Sequence, residues 1–187
     1  MDGGAAEPGR DLWVFGYGSL IWRPGFPFRE ARPATLHGAH RALCVYSWVH
    51  RGTRAHPGLV LGLDHGGACR GMAFRVDPAD RDAAVGYLRE REQVTMVYRE
   101  ALRSVRVHGE PDIVTALVYV VDPNHEQYAG RLPLARQVEI VRGASGRSGA
   151  NVDYVLNTVS AMRAAGISDA ALFAVAEALK PSVTPRP

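Results

Sequence analysis

The sequence predicts an α+β domain: a small curved sheet or β-barrel with one inserted helix, followed by a helical C-terminal third. Three observations carry that expectation. Apolar runs of strand length recur up to residue 121, punctuated by glycine, proline and aspartate. One stretch among them, 78–92, has helical spacing and is introduced by Asp77-Pro78. After Asp122-Pro123, residues 133–142, 151–165 and 168–179 all show helical spacing. Strands first and helices last, without βαβ alternation, argue for α+β, and many short strands favour a curled sheet over a flat one.

The elements follow in order. Residues 1–10 are rich in glycine, alanine and proline and are expected to be a flexible N-terminal tail. Leu12 to Gly18 reads as a buried strand, because its apolar run is nearly continuous. From Ser19 to Pro33 a loop is expected, pinned to the body by Trp22, Phe26 and Phe28. A second strand fits Arg41 to Val49, and 50–58 is a loop by composition. Leu59–Leu63 and Cys69–Val76 read as two strands joined by a hairpin turn at Asp64-His65-Gly66-Gly67. Asp77 then caps a helix with Pro78 at its first position, running to about Glu92. Strands are expected at Glu100–Val107 and Ile113–Val121, joined as a hairpin through residues 109–112. In the last third, Gly146 to Asn151 reads as a turn with Asn151 as helix cap and Tyr154 on the first helical turn. Residues 11–180 are expected to form a single domain, with 181–187 a flexible C-terminal tail.

Composition narrows the function classes. The 187 residues and 47% hydrophobic content suit one globular domain with a sizeable core. No apolar run approaches the roughly 18 residues that span a bilayer. The opening residues lack a basic region followed by an apolar one, so no signal peptide is expected and a cytoplasmic location is. Cys44 and Cys69 are too few for a disulfide framework and read as small buried residues. The net charge of +3 is spread thinly, without a block of like charges or a recognised motif, so no nucleic-acid partner is expected. The seven histidines form no HExxH or Cys/His cluster, and no metal is expected.

Two segments are candidates for chemistry, although a strand ending in a glycine-rich turn, taken alone, reads equally as a structural turn. In Val14-Phe15-Gly16-Tyr17-Gly18-Ser19 a buried strand ends in a glycine-rich turn. Its glycines free the backbone and remove Cβ atoms that would block a ligand, so successive N–H groups can face an anionic atom. A dinucleotide fingerprint fails because Ile21 stands where the third glycine is needed. There is no Walker-type lysine, Lys180 being the only lysine, and Ser19 is not in a nucleophile elbow. The second segment is the end of the inserted helix. Ala84 and Leu88 lie on its apolar stripe with Val85, and Glu92 continues that stripe four residues on, whereas Glu90 lies on another side. A carboxylate facing inward at a helix C-terminus has its pKa nudged upward, which suits general acid/base work. An exposed Glu92 on a frayed last turn is the alternative, and for Tyr154 a place in the core is as good a reading as one in a site.

These residues resemble the ChaC-like γ-glutamylcyclotransferases, typically glutathione-specific. The resemblance rests on Val14 to Trp22 with Pro24-Gly25-Phe26, on Ser47-Trp48 with His50 to Thr53, and on Pro57 to Leu61. It continues through Gly67 to Val76, Tyr87-Leu88 with Arg91-Glu92, Tyr98-Arg99, and Gly146 to Asn151 with Tyr154. It spans about residues 12–166 and implies a compact barrel of the γ-glutamylcyclotransferase type with appended helices. It also implies a reaction in which the α-amine of a γ-glutamyl group attacks its own γ-carbonyl, releasing 5-oxoproline and, from glutathione, cysteinylglycine. By resemblance Val14 to Ser19 seat the substrate, Tyr154 belongs to the binding set, and Glu92 is the acid/base. No cofactor is implied, since the reaction involves neither redox change nor phosphate; the one partner implied is the small molecule glutathione. The chain departs from the family at Gln93-Val94-Thr95-Met96-Val97, where a glycine is common. That departure bears on the peptide side of the pocket and on strictness for glutathione. Cyclisation of other γ-glutamyl amines or dipeptides, and a non-catalytic γ-glutamyl-binding module, are the alternatives.

Overall fold

The structure is a computed structural model and describes residues 11–109 and 113–180. The two tails and most of the 109–112 connection lie outside the described residues. Five strands close into a barrel in the order β1-β3-β2-β4-β5, where β1 is Leu12–Gly16, β2 Glu30–Ser47, β3 Gly58–Val76, β4 Tyr98–Val107 and β5 Ile113–Val121. The chain folds as two compact units, the first ending at Arg41 and resuming over Gly62–Tyr128, the second built from Ala42–Leu61 and the chain from Ala129 onward.

In the first unit, β1 is antiparallel to β3 over Leu12↔Val76 to Gly16↔Met72 and parallel to β5 at Trp13↔Ala116 and Val14↔Leu117. A strand flanked on both sides is enclosed, and Val14, Phe15 and Gly16 are buried accordingly. The β4–β5 hairpin pairs Tyr98↔Val121 through Arg106↔Ile113, as expected from the sequence. Asp77 accepts the Ala79 N–H at 3.0 Å and caps a 3₁₀ turn at Pro78–Asp80, which leads into α1, Arg81–Glu92. Ala84 and Leu88 are buried, so the apolar stripe faces inward as the spacing requires.

Two expectations are corrected here. The strand expected from Arg41 begins eleven residues earlier, at Glu30. Ala34 and Leu36 are buried between polar neighbours, but alanine and a single proline make that alternation faint. Pro33 has no N–H to pair, and its carbonyl accepts from His108 N–H at 2.8 Å. The hairpin expected at Asp64–Gly67 is not a turn: residues 58–76 form one strand. Gly66 and Gly67, at φ 89° and 73°, sit inside it, and residues 72–76 pair with β1. Glycine adopts such φ values without strain, so the strand runs on through both residues instead of reversing there.

In the second unit lie α2 (Leu134–Gly143), the two-residue strands β6 (Ser145–Gly146) and β7 (Gly149–Ala150), α3 (Asn151–Ala164) and α4 (Ala170–Leu179). The turn expected before α3 is the β6–β7 hairpin. Asn151 does not cap α3; Ala150 occupies that position. Fully buried, Asn151 instead accepts the Leu59 N–H at 2.7 Å and donates to the Leu59 carbonyl at 2.8 Å. Cys44 and Cys69 are buried, as their reading as small core residues expects. No helix among the described residues is long and apolar enough to cross a membrane.

Candidate active site

The first unit brings together the glycine-rich loop and the end of α1. β1 delivers the chain into the loop at Gly16, and a 3₁₀ turn, Ser19–Ile21, follows. Space is tight at Gly16: a Cβ there would stand 3.0 Å from Leu20 Cβ and 3.1 Å from Phe74 Cε2, so both side chains would have to give. Arg23 N–H and Ile21 N–H bond back to Ser19 and Gly18 carbonyls at 2.8 and 3.0 Å. The first N–H groups of such a turn have no partner within it.

Two arginines fix this loop. Arg41 on β2 is buried and donates from Nε to the Tyr17 carbonyl and from a terminal nitrogen to the Arg70 carbonyl, each at 2.5 Å. With the Tyr17 carbonyl occupied, the peptide that follows it cannot rotate freely. From the other side, Arg91 on α1 donates to Ser19 Oγ at 2.8 Å and to the Arg23 carbonyl at 2.6 Å. Downstream, Phe26 is buried edge-on to Phe74 and Tyr87, with centroids 5.8 and 6.4 Å away. Phe28, though still exposed, packs on Phe74 at 5.2 Å, so Phe26 and Phe28, two of the three aromatics expected to pin the segment, hold it.

Glu92 ends α1 with its side chain 17% exposed, and its Oε1 lies 3.2 Å from Arg91 Nε. Burial pushes the carboxyl above its ordinary value, and the Arg91 charge opposes that shift. The expected inward-facing carboxylate is therefore in place, and the frayed alternative is not what the helix end shows. Nearby, Tyr119 on β5 is held neutral by burial first and then by Glu100, to which its hydroxyl donates at 3.2 Å. Glu100 on β4 is paired with Arg89 at 2.8 Å, and that hydrogen bond holds it below the usual carboxylate range. Two carboxylates, one at the helix end and one on the neighbouring strand, are thus shifted in opposite directions.

Val14, Phe15, Gly16, Tyr17, Gly18, Ser19 and Glu92 all belong to this first unit. Tyr154 belongs to the second, where its hydroxyl accepts the Leu61 N–H at 3.1 Å. Sequence reasoning gave no role to Arg41 or Arg91. An arginine among apolar strand residues was the available signal for the first, and a place beside Glu92 was the signal for the second.

These features define an α+β barrel that carries a fixed glycine loop and a shielded carboxylate at the end of α1. Comparison with known proteins gives that scaffold a family. Residues 12–182 match the family model described as ChaC-like protein. The chain is 35% identical over 161 residues to human glutathione-specific gamma-glutamylcyclotransferase 1, covering 83% of this chain and 71% of that one. It is 32% identical to the Escherichia coli (strain K12) glutathione-specific gamma-glutamylcyclotransferase, covering 84% and 68%. With gamma-glutamylcyclotransferase 2-3 of Arabidopsis thaliana it shares 34% identity, covering 84% and 83%. A crystal structure of a yeast gamma-glutamyl cyclotransferase specific to glutathione superposes with a TM-score of 0.81 at 23% identity, over 90% of this chain and 95% of that one, and establishes the shared fold. The chain belongs to the ChaC-like family.

Proposed function

We propose that this protein cyclises the γ-glutamyl group of glutathione to 5-oxoproline and releases cysteinylglycine, with Glu92 as the single general acid/base. The observation that carries the reading is the shielded Glu92 carboxyl, joined through Arg91 to Ser19 of the glycine loop. The nucleophile is the substrate's own α-amine, so no activated serine or cysteine is required. The protein's task is to fold the γ-glutamyl chain until amine and carbonyl meet. Backbone N–H groups of Gly16 to Ser19 hold the glutamyl carboxylate or the developing oxyanion.

The steps balance on one carboxylate. Glu92 takes a proton from the α-ammonium, and the freed nitrogen pair forms a bond to the γ-carbonyl carbon. The carbonyl π pair moves to oxygen. When it returns, the bond to the cysteinyl nitrogen breaks and Glu92 delivers its proton to that departing nitrogen. The ionised carboxylate then takes the second proton of the ring nitrogen, leaving the lactam N–H, and passes it to the freed amine, which departs as an ammonium. A pKa above the usual carboxylate value, caused by burial, brings Glu92 closer to the working pH for these transfers.

Purified protein is incubated with glutathione and, separately, with γ-glutamyl amino acids, and 5-oxoproline is measured. Product from glutathione supports the reading; no product from any substrate leaves a binding module. Glu92→Gln is expected to lose turnover by at least about 100-fold, the lower range of general acid/base contributions. The exposed Glu90 provides the control: Glu90→Gln keeps most activity. Full activity in Glu92→Gln would remove Glu92 from the mechanism. A second reading, acceptance of γ-glutamyl amines other than glutathione, is favoured by the segment after Glu92. Val94 and Met96 are 54% and 60% exposed there, and Met96 holds φ 61°. Product only from the other γ-glutamyl compounds would select it.

A further inference from the structure

We propose that Arg91 is the positioning residue of this site: its guanidinium clamps the 19–23 turn to the end of α1 and holds the Glu92 carboxylate in register with it. The inference rests on Glu92 being the acid/base. Each part of the fork has an acceptor. One terminal nitrogen donates to the Arg23 carbonyl at 2.6 Å and to the Tyr87 hydroxyl at 3.0 Å. The other donates to Ser19 Oγ at 2.8 Å, and Nε lies 3.2 Å from Glu92 Oε1.

This differs from an ordinary surface ion pair. The Arg91 side chain is 20% exposed and that of Glu92 17%, so neither swings freely in water. Tyr87 lies one turn back on the same face and also packs on Phe26, which ties the loop's downstream end to the same clamp. A planar fork spans acceptors on a loop and on its own helix; a lysine, with one nitrogen, does not. Exchanging the arginine for a lysine therefore separates what the fork does for the loop from what its charge does for Glu92.

The two roles have separate signatures. As a charge, Arg91 opposes the upward push of burial on Glu92. Tyr119 from β5 also feels the Glu92 charge and is neutral, and the Glu100 carboxylate to which Tyr119 donates is already paired with Arg89. As a fork, Arg91 sets where Ser19 and the Arg23 carbonyl stand, and hence where the loop presents its N–H groups.

The test uses the full chain as wild type, Arg91→Lys and Arg91→Met. Hydrogen exchange of the amides of residues 17–23 is followed without substrate, and kcat and KM are measured against pH. Arg91→Met is expected to speed exchange of those amides and to raise KM by on the order of tenfold, within what small misplacements cost. It also moves the acid limb of kcat/KM to higher pH, because the charge that favoured ionised Glu92 is gone. Arg91→Lys returns the limb toward wild type while KM and loop exchange stay close to those of Arg91→Met. An unchanged loop exchange, or a limb and KM both at wild-type values in Arg91→Met, overturns the proposal. Should Arg91→Met not fold, Arg91→Lys with wild-type exchange and KM overturns it equally. Wild-type protein that makes no 5-oxoproline defeats the functional reading, whereas the exchange measurement needs no activity and tests the clamp alone.

Discussion

A carboxylate kept from water is a liability for folding and an asset for proton transfer; Glu92 carries the liability, and the proposed reaction would use the asset. Its pKa is raised in the folded protein, so the folded state binds a proton more tightly than the unfolded chain does. The stabilisation this gives is fully present below the ordinary carboxylate value, 4.5, and is lost as pH rises through the folded value. Above that pH the protein carries an ionised, poorly hydrated group that costs stability. Glu92→Gln removes the ionisation while keeping the shape. Its melting temperature is therefore expected to gain on wild type as pH is raised from about 4.5 through neutrality, even as turnover disappears. Thermal melts of both proteins at several pH values measure that difference; a gap that stays flat or shrinks as pH rises would mean burial does not raise the Glu92 pKa. Glu100 responds in the opposite sense. Its pKa is held low by Arg89, so the stability it contributes is lost as pH falls through its folded value.

At the scale of elements, side chains that pair with main chain fix where strands and helices end. Asn151, fully buried, closes a two-way hydrogen bond on the Leu59 backbone, and Tyr154 one helical turn later takes the Leu61 N–H. Asn151→Ala leaves a buried N–H and a buried C=O without that partner, at about 1–3 kcal/mol for each such group. A loss of about 2–6 kcal/mol in denaturant unfolding is expected on that basis. A much smaller loss would show that the backbone re-pairs. The same residue marks where sequence reading stopped. An asparagine before a helical run looks like a cap, because local patterns cannot reveal a partner as distant along the chain as Leu59. Elements with strong periodicity or a local signal were legible: β1, the Asp77 start, α1, the β4–β5 hairpin and the three late helices. The first half of β2 was hidden by alanine and Pro33. The continuity of β3 was hidden by Gly66-Gly67, whose dihedrals suit a turn and a bulge alike. In the site, Glu92 and the glycine loop were legible from stripe and composition. Arg41 and the multiple acceptors of Arg91 were not, since both depend on which carbonyls tertiary packing brings within reach.

For the molecule as a whole, the glycine loop is only as well placed as the barrel seam that leads into it. β1 has five residues, yet it pairs with β3 on one side and closes the barrel against β5 on the other. Its last residue, Gly16, is also the first of the loop, so an error at this seam is transmitted directly to the proposed substrate seat. Gly71 on β3 is where the seam is tightest: a Cβ there would overlap the Gly16 carbonyl oxygen and stand 2.8 Å from Phe15 Cζ. A backbone oxygen cannot swing aside as a side chain end does. Gly71→Ala is therefore expected to cost about 1–3 kcal/mol, the usual penalty of overpacking, and to raise KM because Gly16 must shift. Gly86 supplies the opposite case. It is exposed on α1, with nothing within 4 Å of an added Cβ, so Gly86→Ala is expected to stabilise by about 0.5–1 kcal/mol with activity unchanged. Urea unfolding and steady-state kinetics on the two variants decide between packing and backbone entropy as the governing effect. If Gly71→Ala behaved like Gly86→Ala, β1 would not be the rigid support of the loop, and the seat would have to be held by the arginines alone.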